Sequence, residues 1–539
     1  MSPWPQTYDP LHNVVLSTLA AAAPIVVLLG TIAFLRLRAH YAALLGLGSG
    51  LVVATGVLGM PVPLAVRAAL LGAAYGLLPI GWIILNVIFL YHLTSDRGLF
   101  DVLRRTLGRV TADRRLQLLL IAFCFGSFFE GAAGFGAPVA ITGALLVGLG
   151  FSALEASGLS LIANTAPVAF GALGTPVIAL AGVTGLPLPA LSQMIGRQLP
   201  FFSVLIPFWM MLAYAGVKRT VAIWPAVTVA GVAFAIPQLL ISNYHGPWLV
   251  DIGAAVASIA AVTLLLRVWH PSDAPRVAMP PTDVDRRTAV RAWTPWAILS
   301  VVVFLWGLPQ VRAVLDRISR PVFSIGGLDR MVQRMPPVVL RPTAEGASFT
   351  FNWLSATGSG ILVAALIAAF VMGYKPREIV RQYFRTFSAV KVSLLTIASM
   401  VAIGYLTRYS GLDAILGLAF ARTGRWYPFF GTLLGWLGVA LTGSDTASNV
   451  LFGSLQGVTA HQIGVSPTLM AAANSSGGVM GKMVDMQSIV VASTTTRWYG
   501  HEWQILRFVF FHSIVLAALV GVLVTLQAYV MPFAALVPR

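Results

Sequence analysis

The sequence predicts an all-α polytopic membrane protein of about 12–14 transmembrane helices, in two repeat-related halves that each contain broken or re-entrant helices. Three observations carry this expectation. Of 539 residues, 58% are hydrophobic and only 10% are charged, whereas a soluble domain carries about 25% charged residues to wet its surface. Apolar runs at 13–35, 248–266 and 513–531 approach or exceed the roughly 20 residues that cross a bilayer core. They must satisfy their backbone internally, as helices. Finally, residues 125–181 and 435–491 crowd glycine, proline, hydroxyl and amide residues into membrane depth, where non-helical backbone survives only inside protein or along a cavity.

The first apolar run has no Lys or Arg before Arg36, so it lacks the basic region of a signal peptide and is expected to remain as the first span. Further spans are expected near 41–60, 64–92, 116–150, 153–183, 199–216, 220–240, 248–269, 293–308, 355–373, 387–407, 426–460, 466–495 and 506–532. Several of these are too long, or too interrupted by Gly and Pro, for one straight helix. The polar loops 270–292 and 309–350 are too short for a separate domain. The chain therefore reads as one transmembrane domain, 1–539, with half one at about 13–240 and half two at about 293–532.

The net charge of +17 does not mark a nucleic-acid binder, because the basic residues are scattered over short loops. Cytoplasmic loops of membrane proteins collect Lys and Arg. Six arginines at 97–115 stand beside Asp96, Asp101 and Asp113, which places that loop inside. Arg36, Arg38, Lys218, Arg219, 267–291 and 375–385 agree. The N-terminus then lies outside, and so does the segment 309–346 despite its six arginines.

Sliding the first interrupted region onto the second by 310 positions aligns Gly143 with Gly453, Leu145 with Leu455, Ala163-Asn164 with Ala473-Asn474, and Gly171 with Gly481. Paired broken segments in two halves point to a transporter site. Their inverted orientation is implied by that architecture, not by the alignment. Asn164, Thr165, Asn474, Ser475 and Ser476 sit beside the expected breaks, where exposed helix N-termini supply N–H donors and partial positive charge for a carboxylate. The plainer reading of such residues is hydrogen bonding between helices.

Charges inside the membrane cost roughly 2.5–3.5 kcal/mol on insertion scales, so they default to functional candidates. Glu130, after LLIAFCFGSFF, and Asp445, after GWLGVALTGS, are placed to carry a proton. Lys482 is placed to meet a substrate carboxylate or to neutralise Asp485. Arg197 is a second carboxylate candidate, with a snorkelling interface arginine as its alternative; a buried structural pair is the alternative for the other three.

The P-loop pattern is absent, since Gly481-Lys482 is followed by Met483. The scattered histidines and the single Cys124 offer no metal constellation, and the glycines at 131–136 follow no strand. No nucleophile–base set suggests an enzyme, and no soluble output domain suggests a sensor. An ion gradient is the remaining energy source, so no cofactor is expected beyond a co-transported ion.

These residues resemble the lactate permease family. EGAAGFGAP at 130–138 followed by VAIT, GSDT at 443–446 and ANSSGG at 473–478 are similar to its motifs. So are RAWTP at 291–295, RMPP at 334–337, residues 431–443, TLQAY at 525–529 and the opening 4–10. The resemblance spans essentially the whole chain. It implies a bacterial inner-membrane permease taking up L-lactate, D-lactate or glycolate with protons. The implied partners are a small carboxylate, protons and the lipid bilayer; a homo-oligomer is left open, and a sodium-coupled or dicarboxylate carrier is the alternative. A looser similarity links the Asn–hydroxyl breaks to transporters that work by an elevator motion. Two departures stand out. The family pattern after Gly-Lys-Met is Ile-Ser-Pro-Gln, whereas this chain has Val484-Asp485-Met486-Gln487, and Arg408 replaces a neutral residue. Fine specificity need not follow the family where Asp485 changes the charge beside Lys482.

Overall fold

The computed structural model describes residues 3–35, 37–99, 102, 106, 110–134, 137–271 and 285–538. Arg36, Arg104, Arg105 and Arg109 of the expected inner loops, Phe135 and Gly136 of the EGAAGFGAP motif, and 272–284 of the loop 270–292 lie outside the described residues.

The first described helices are α1 (Val14–Ala33), α2 (Ala39–Gly56), α3 (Val62–Tyr75) and α4 (Trp82–Asp96), followed by α5 (Arg114–Ala132). The first interrupted region then continues as α6 (Ala137–Gly148), α7 (Ala153–Ala163) and α8 (Gly171–Thr184). Next come α9 (Leu188–Val221), α10 (Trp224–Tyr244), α11 (Val250–Val268), α12 (Arg286–Gly307) and α13 (Pro309–Ser319). After a small β region run α14 (Thr357–Val371), α15 (Pro376–Ser410) and α16 (Leu412–Ala421). The second interrupted region is α17 (Tyr427–Thr442), α18 (Asp445–Gln462), α19 (Pro467–Gly481) and α20 (Met486–Thr495), and α21 (Glu502–Tyr529) closes the chain.

Local sequence explains many of the helix starts. Proline stands in the first turn of α3, α9, α10, α13, α15, α17 and α19, where its missing N–H costs nothing. Asn13 caps α1, and Ser152 with Glu155 forms a capping box on α7.

Among the described residues ten helices are long and apolar enough to cross a membrane, or eleven if the α7–α8 pair, bent by 64°, counts as one span. The expected count was higher. The expected spans that fall short are 355–373, whose helix α14 has 15 residues, and 426–460 and 466–495, which resolve into the pairs α17–α18 and α19–α20. Leu16, Leu19 and Val26 on α1, and Phe511, Val515 and Val522 on α21, are exposed. That surface suits an apolar solvent rather than water.

The segment 309–350, expected as a polar loop, is partly folded. Strands β1 (Trp4–Pro5), β3 (Val332–Arg334) and β4 (Thr343–Glu345) form one sheet, and β2 (Val322–Ser324) pairs with β5 (Ser348–Thr350). The N-terminus and this segment thus share one face of the molecule, as the charge pattern implied. Gln6 donates to the carbonyls of Arg408 and Tyr409 at 3.0 Å, docking the cap on the end of α15. Arg408 itself pairs with Glu345 at 2.6 Å, and Glu345 also meets Arg334 at 2.9 Å. The unusual Arg408 is therefore neutralised by the cap. At the other end of α15, 35 residues or about 50 Å away, Arg97 reaches Gly373 O at 3.2 Å and Glu378 at 3.7 Å. This is the basic face.

The helices sort into two packed groups. One holds α1–α4, α12, α14 and α15; the other gathers α5–α11 with α17–α21. Within the second group the corresponding helices run oppositely. α6 leads from its break to Gly150, beside Arg114 on the basic face, whereas α18 leads to Gln462, which donates to Pro337 O of the cap at 2.8 Å. α8 ends just past Val183, whose carbonyl accepts from Arg408 at 3.3 Å on the cap face. α20 ends near Thr496, which meets Ser157 of α7 at 3.0 Å, toward the basic face. The interrupted regions are thus inverted copies.

Candidate functional site

A cavity of about 280 Å³ lies at the seam between the two groups. Its walls come from the breaks of both inverted regions and from Ser393, Thr396, Ile397 and Met400 of α15. Ala39, at the end of α2 remote from the cap, is also in the wall, so the cavity lies toward the basic face.

Three helix N-termini meet there. α8 begins with Ala172, Leu173 and Gly174 in the left-handed region, at φ of +43°, +56° and +77°. Two of these are not glycine, and each such residue costs about 1–2 kcal/mol. Strain of this kind persists only where its surroundings impose it. α18 begins after Gly443, at φ +75°. Asp485 caps α20, its Oδ1 accepting from Ser488 N at 2.7 Å. Gly171, Thr175, Ser444, Thr446, Gln487 and Ser488 line the cavity at these three starts. Exposed N–H groups and aligned dipoles make such a convergence attractive to an anion.

Lys482 stands at the centre. Its ammonium donates to Gly443 O at 2.7 Å and pairs with Asp485 at 3.2 Å, joining the two breaks of the second region. Lys482 lines the cavity and pairs with Asp485, the second of the two roles expected for it. The departing residue Asp485 has a structural reason, since an aspartate is a favoured N-cap.

Two carboxyls face the same space. Glu130 is 5% exposed, and its Oε2 accepts from Asn164 Nδ2 at 3.1 Å. Its Oε1 lies so close to Gly171 that a Cβ there would come within 2.6 Å. Asp445 opens α18; its Oδ2 accepts from Ser475 Oγ at 2.5 Å and Asn449 Nδ2 at 3.1 Å. Its Oδ1 is buried without a hydrogen-bond partner among the described residues.

Behind Asp445 runs a polar network. Tyr427 donates to Gln456 Oε1 at 2.7 Å, Gln456 donates to Asn474 Oδ1 at 3.2 Å, and Asn474 donates to Asn449 Oδ1 at 3.0 Å. Asn449 also reaches Pro176 O at 3.2 Å, tying α18 to α8 across the two regions. Satisfied buried networks of this kind fix a unique arrangement.

The comparisons with known proteins fall on this architecture. A family model described as L-lactate permease matches residues 17–531. The chain belongs to the L-lactate permease family. It is 44% identical to the glycolate permease GlcA of Escherichia coli K12 and to the L-lactate permease of Salmonella typhi, and 42% identical to the L-lactate permease of Bacillus subtilis. Each match covers 98% of this chain and 99% of the relative. With ten apolar helices among the described residues, this member of the lactate permease family is a multi-pass membrane protein.

In this member of the family the expected site residues divide into wall and backing. Glu130, Asp445 and Lys482 line the cavity. Asn164 stands at its break and holds Glu130. Thr165 bonds back to Ile162 O at 2.8 Å. Asn474, Ser475 and Ser476 require a correction, because they lie within the continuous helix α19 and not at a break. Gly477 and Gly478 there remain helical, packed against Thr432 and Val439 of α17, and the chain breaks later, at 482–485. Ser476 turns away, donating to Gln198 at 2.7 Å. Arg197 is remote from the wall: it donates to Asn243 at 2.8 Å and to Leu536 O at 2.9 Å, clamping the C-terminal segment.

Several residues escaped the sequence reading. Asn449 follows Asp445 by four positions, a same-face helical spacing that would have flagged it. Asp251 interrupts an apolar run, WLVDIGAAV, and deserved the default suspicion of an intramembrane acid. It is 1% exposed, packs its Cβ on Gly131 beside Glu130, and neither carboxyl oxygen has a hydrogen-bond partner among the described residues. Ser393 and Thr396 gave no signal, since only the tertiary fold brings α15 to the cavity.

Proposed function

We propose that this permease carries a small 2-hydroxy monocarboxylate of the lactate–glycolate type across a bacterial inner membrane, in symport with protons. The observation that carries the reading is the convergence of three helix N-termini and Lys482 on a cavity that also holds two buried carboxyls. The N-termini and the ammonium compensate a substrate carboxylate for its lost hydration. Glu130 and Asp445 are the groups to which protons bind and from which they leave. Asn164, Ser475 and, through Asn449, Asn474 position those carboxyls rather than touching substrate. The relatives named as lactate and glycolate permeases support the substrate class. The seam location supports a motion in which the broken-helix group moves against α1–α4 and α15, exposing the site to each face in turn.

The test is uptake of labelled L-lactate into proteoliposomes under an inward proton gradient, with and without sodium, competed by glycolate and by succinate. Accumulation that needs the proton gradient, ignores sodium and yields to glycolate but not succinate is the expected result. Sodium dependence would reassign the coupling ion, and competition by succinate would reassign the substrate class.

A further inference from the structure

A second cavity, of about 250 Å³, lies under the cap. Its floor is the outer part of α8, from Ile178 to Gly182, with Val401 of α15; its roof includes Thr350 of β5. The first cavity uses the adjoining parts of the same two helices, Thr175 and Pro176 of α8 and Met400 of α15. The two spaces are therefore stacked along α8 and α15, and the fully buried Val177 stands between their lining residues on α8 as a partition. One lies toward the basic face and the other against the cap.

The second cavity is edged by one face of α13. Arg312 and Asp316, four residues apart, share a face of α13, Arg320 follows at its C-cap, and all three line the cavity. Arg320 pairs with Asp316 at 3.6 Å. The Arg312 guanidinium lies 5.7 Å from the centre of the Trp248 ring, which also lines the space. Among the described residues no carboxylate pairs with Arg312. Two guanidinium groups against one carboxylate leave one positive charge over, the complement of a monoanion. A planar guanidinium braced on an aromatic ring is preorganised for a bidentate carboxylate.

We infer that this cavity is an entry subsite, at which Arg312, helped by Arg320, takes a monocarboxylate from the cap side before it reaches the Lys482 cavity. The inference rests on the carboxylate-carrier reading proposed above and adds to it a second binding place on the opposite side of the partition.

The experiment compares wild type with Arg312→Gln, Arg320→Gln and Arg312→Lys in right-side-out and inverted membrane vesicles, with the amount of inserted protein measured in each. Half-saturation for L-lactate presented at the cap face should rise on the order of tenfold in Arg312→Gln, the loss of one charge-assisted contact. It should rise less in Arg320→Gln, and the effect should shrink as ionic strength increases. Half-saturation from the opposite face should stay at the wild-type value, and Arg312→Lys should recover part of the loss. An unchanged value at the cap face overturns the subsite. An equal rise at both faces also overturns it, because it would place the effect at the shared cavity or in the fold. Wild-type vesicles that carry no 2-hydroxy monocarboxylate would instead sink the transport reading, before any variant is compared.

Discussion

Glu130 is fixed from two sides, by the Asn164 amide at 3.1 Å and by the bare Cα of Gly171. Gly171→Ala would drive a methyl to within 2.6 Å of its carboxyl, and overpacking of this sort costs about 1–3 kcal/mol. Uptake in that variant is expected to fall at least as far as in Glu130→Gln, with the protein still inserted. Glu130→Gln keeps the shape and removes the titrating group, so proton-driven accumulation should be lost. Normal pH-driven accumulation by that variant, measured in proteoliposomes, would take Glu130 out of the coupling. Asn474 makes a different expectation. Its amide, on α19, bridges Gln456 and Asn449 of α18, and stripping it leaves buried partners unpaired at about 1–3 kcal/mol. Asn474→Ala should therefore lower the melting temperature in detergent while half-saturation moves little.

The breaks between helices are set by a few residues each. Gly443 turns the chain from α17 into α18 at φ +75° and gives its carbonyl to Lys482. A side chain in that region costs about 1–2 kcal/mol, so Gly443→Ala should both destabilise the protein and displace the ammonium from the cavity. Loss of uptake with unchanged half-saturation and melting temperature would contradict that. The cap has its own fastening. The Ala347 N–H and the Ser324 hydroxyl both donate to Asp329, at 2.7 and 2.8 Å, and they hold its carboxyl below the usual carboxylate range. A group with a depressed folded value contributes its stability above the unfolded value, about 3.9, and loses it as pH falls through the folded one. Protease resistance of the β2–β5 pair should hold from neutral pH to about pH 4 and decline only below, and Asp329→Asn should abolish that dependence.

Across the whole molecule, the seam between the two helix groups is where movement must occur. Gly404 of α15 lies on it. A Cβ at this position would come 2.9 Å from Val450 Cγ1 and 3.0 Å from Val183 Cγ1, on α18 and α8. Gly404→Leu is expected to wedge the seam and cut turnover by about tenfold or more while the protein inserts normally. Wild-type turnover in that variant would show that the two groups do not slide along this line.

Composition and apolar run length were enough to make this chain a helical membrane protein, because a bilayer leaves the backbone almost no other choice. The charge pattern put the N-terminus and the 309–346 segment on one side, and β1–β3 pairing joins them there. Glu130, Asp445 and Lys482 were legible because each is a costly charge in an apolar setting. Asn164 was legible through its glycine- and proline-rich surroundings, although as a presumed ligand. What sequence spacing could not decide was which polar residues face the cavity. Asn164 and Asn474 align at a spacing of 310, yet one stands at a break and the other inside a helix. That outcome depends on α17 packing against Gly477 and Gly478 from far along the chain. The contribution of α15, the pairing of Arg408 with Glu345 and the second cavity under the cap likewise come from contacts between distant segments. Local sequence sets where a helix can start and which charges are costly; the wall of the site is decided by which helices meet.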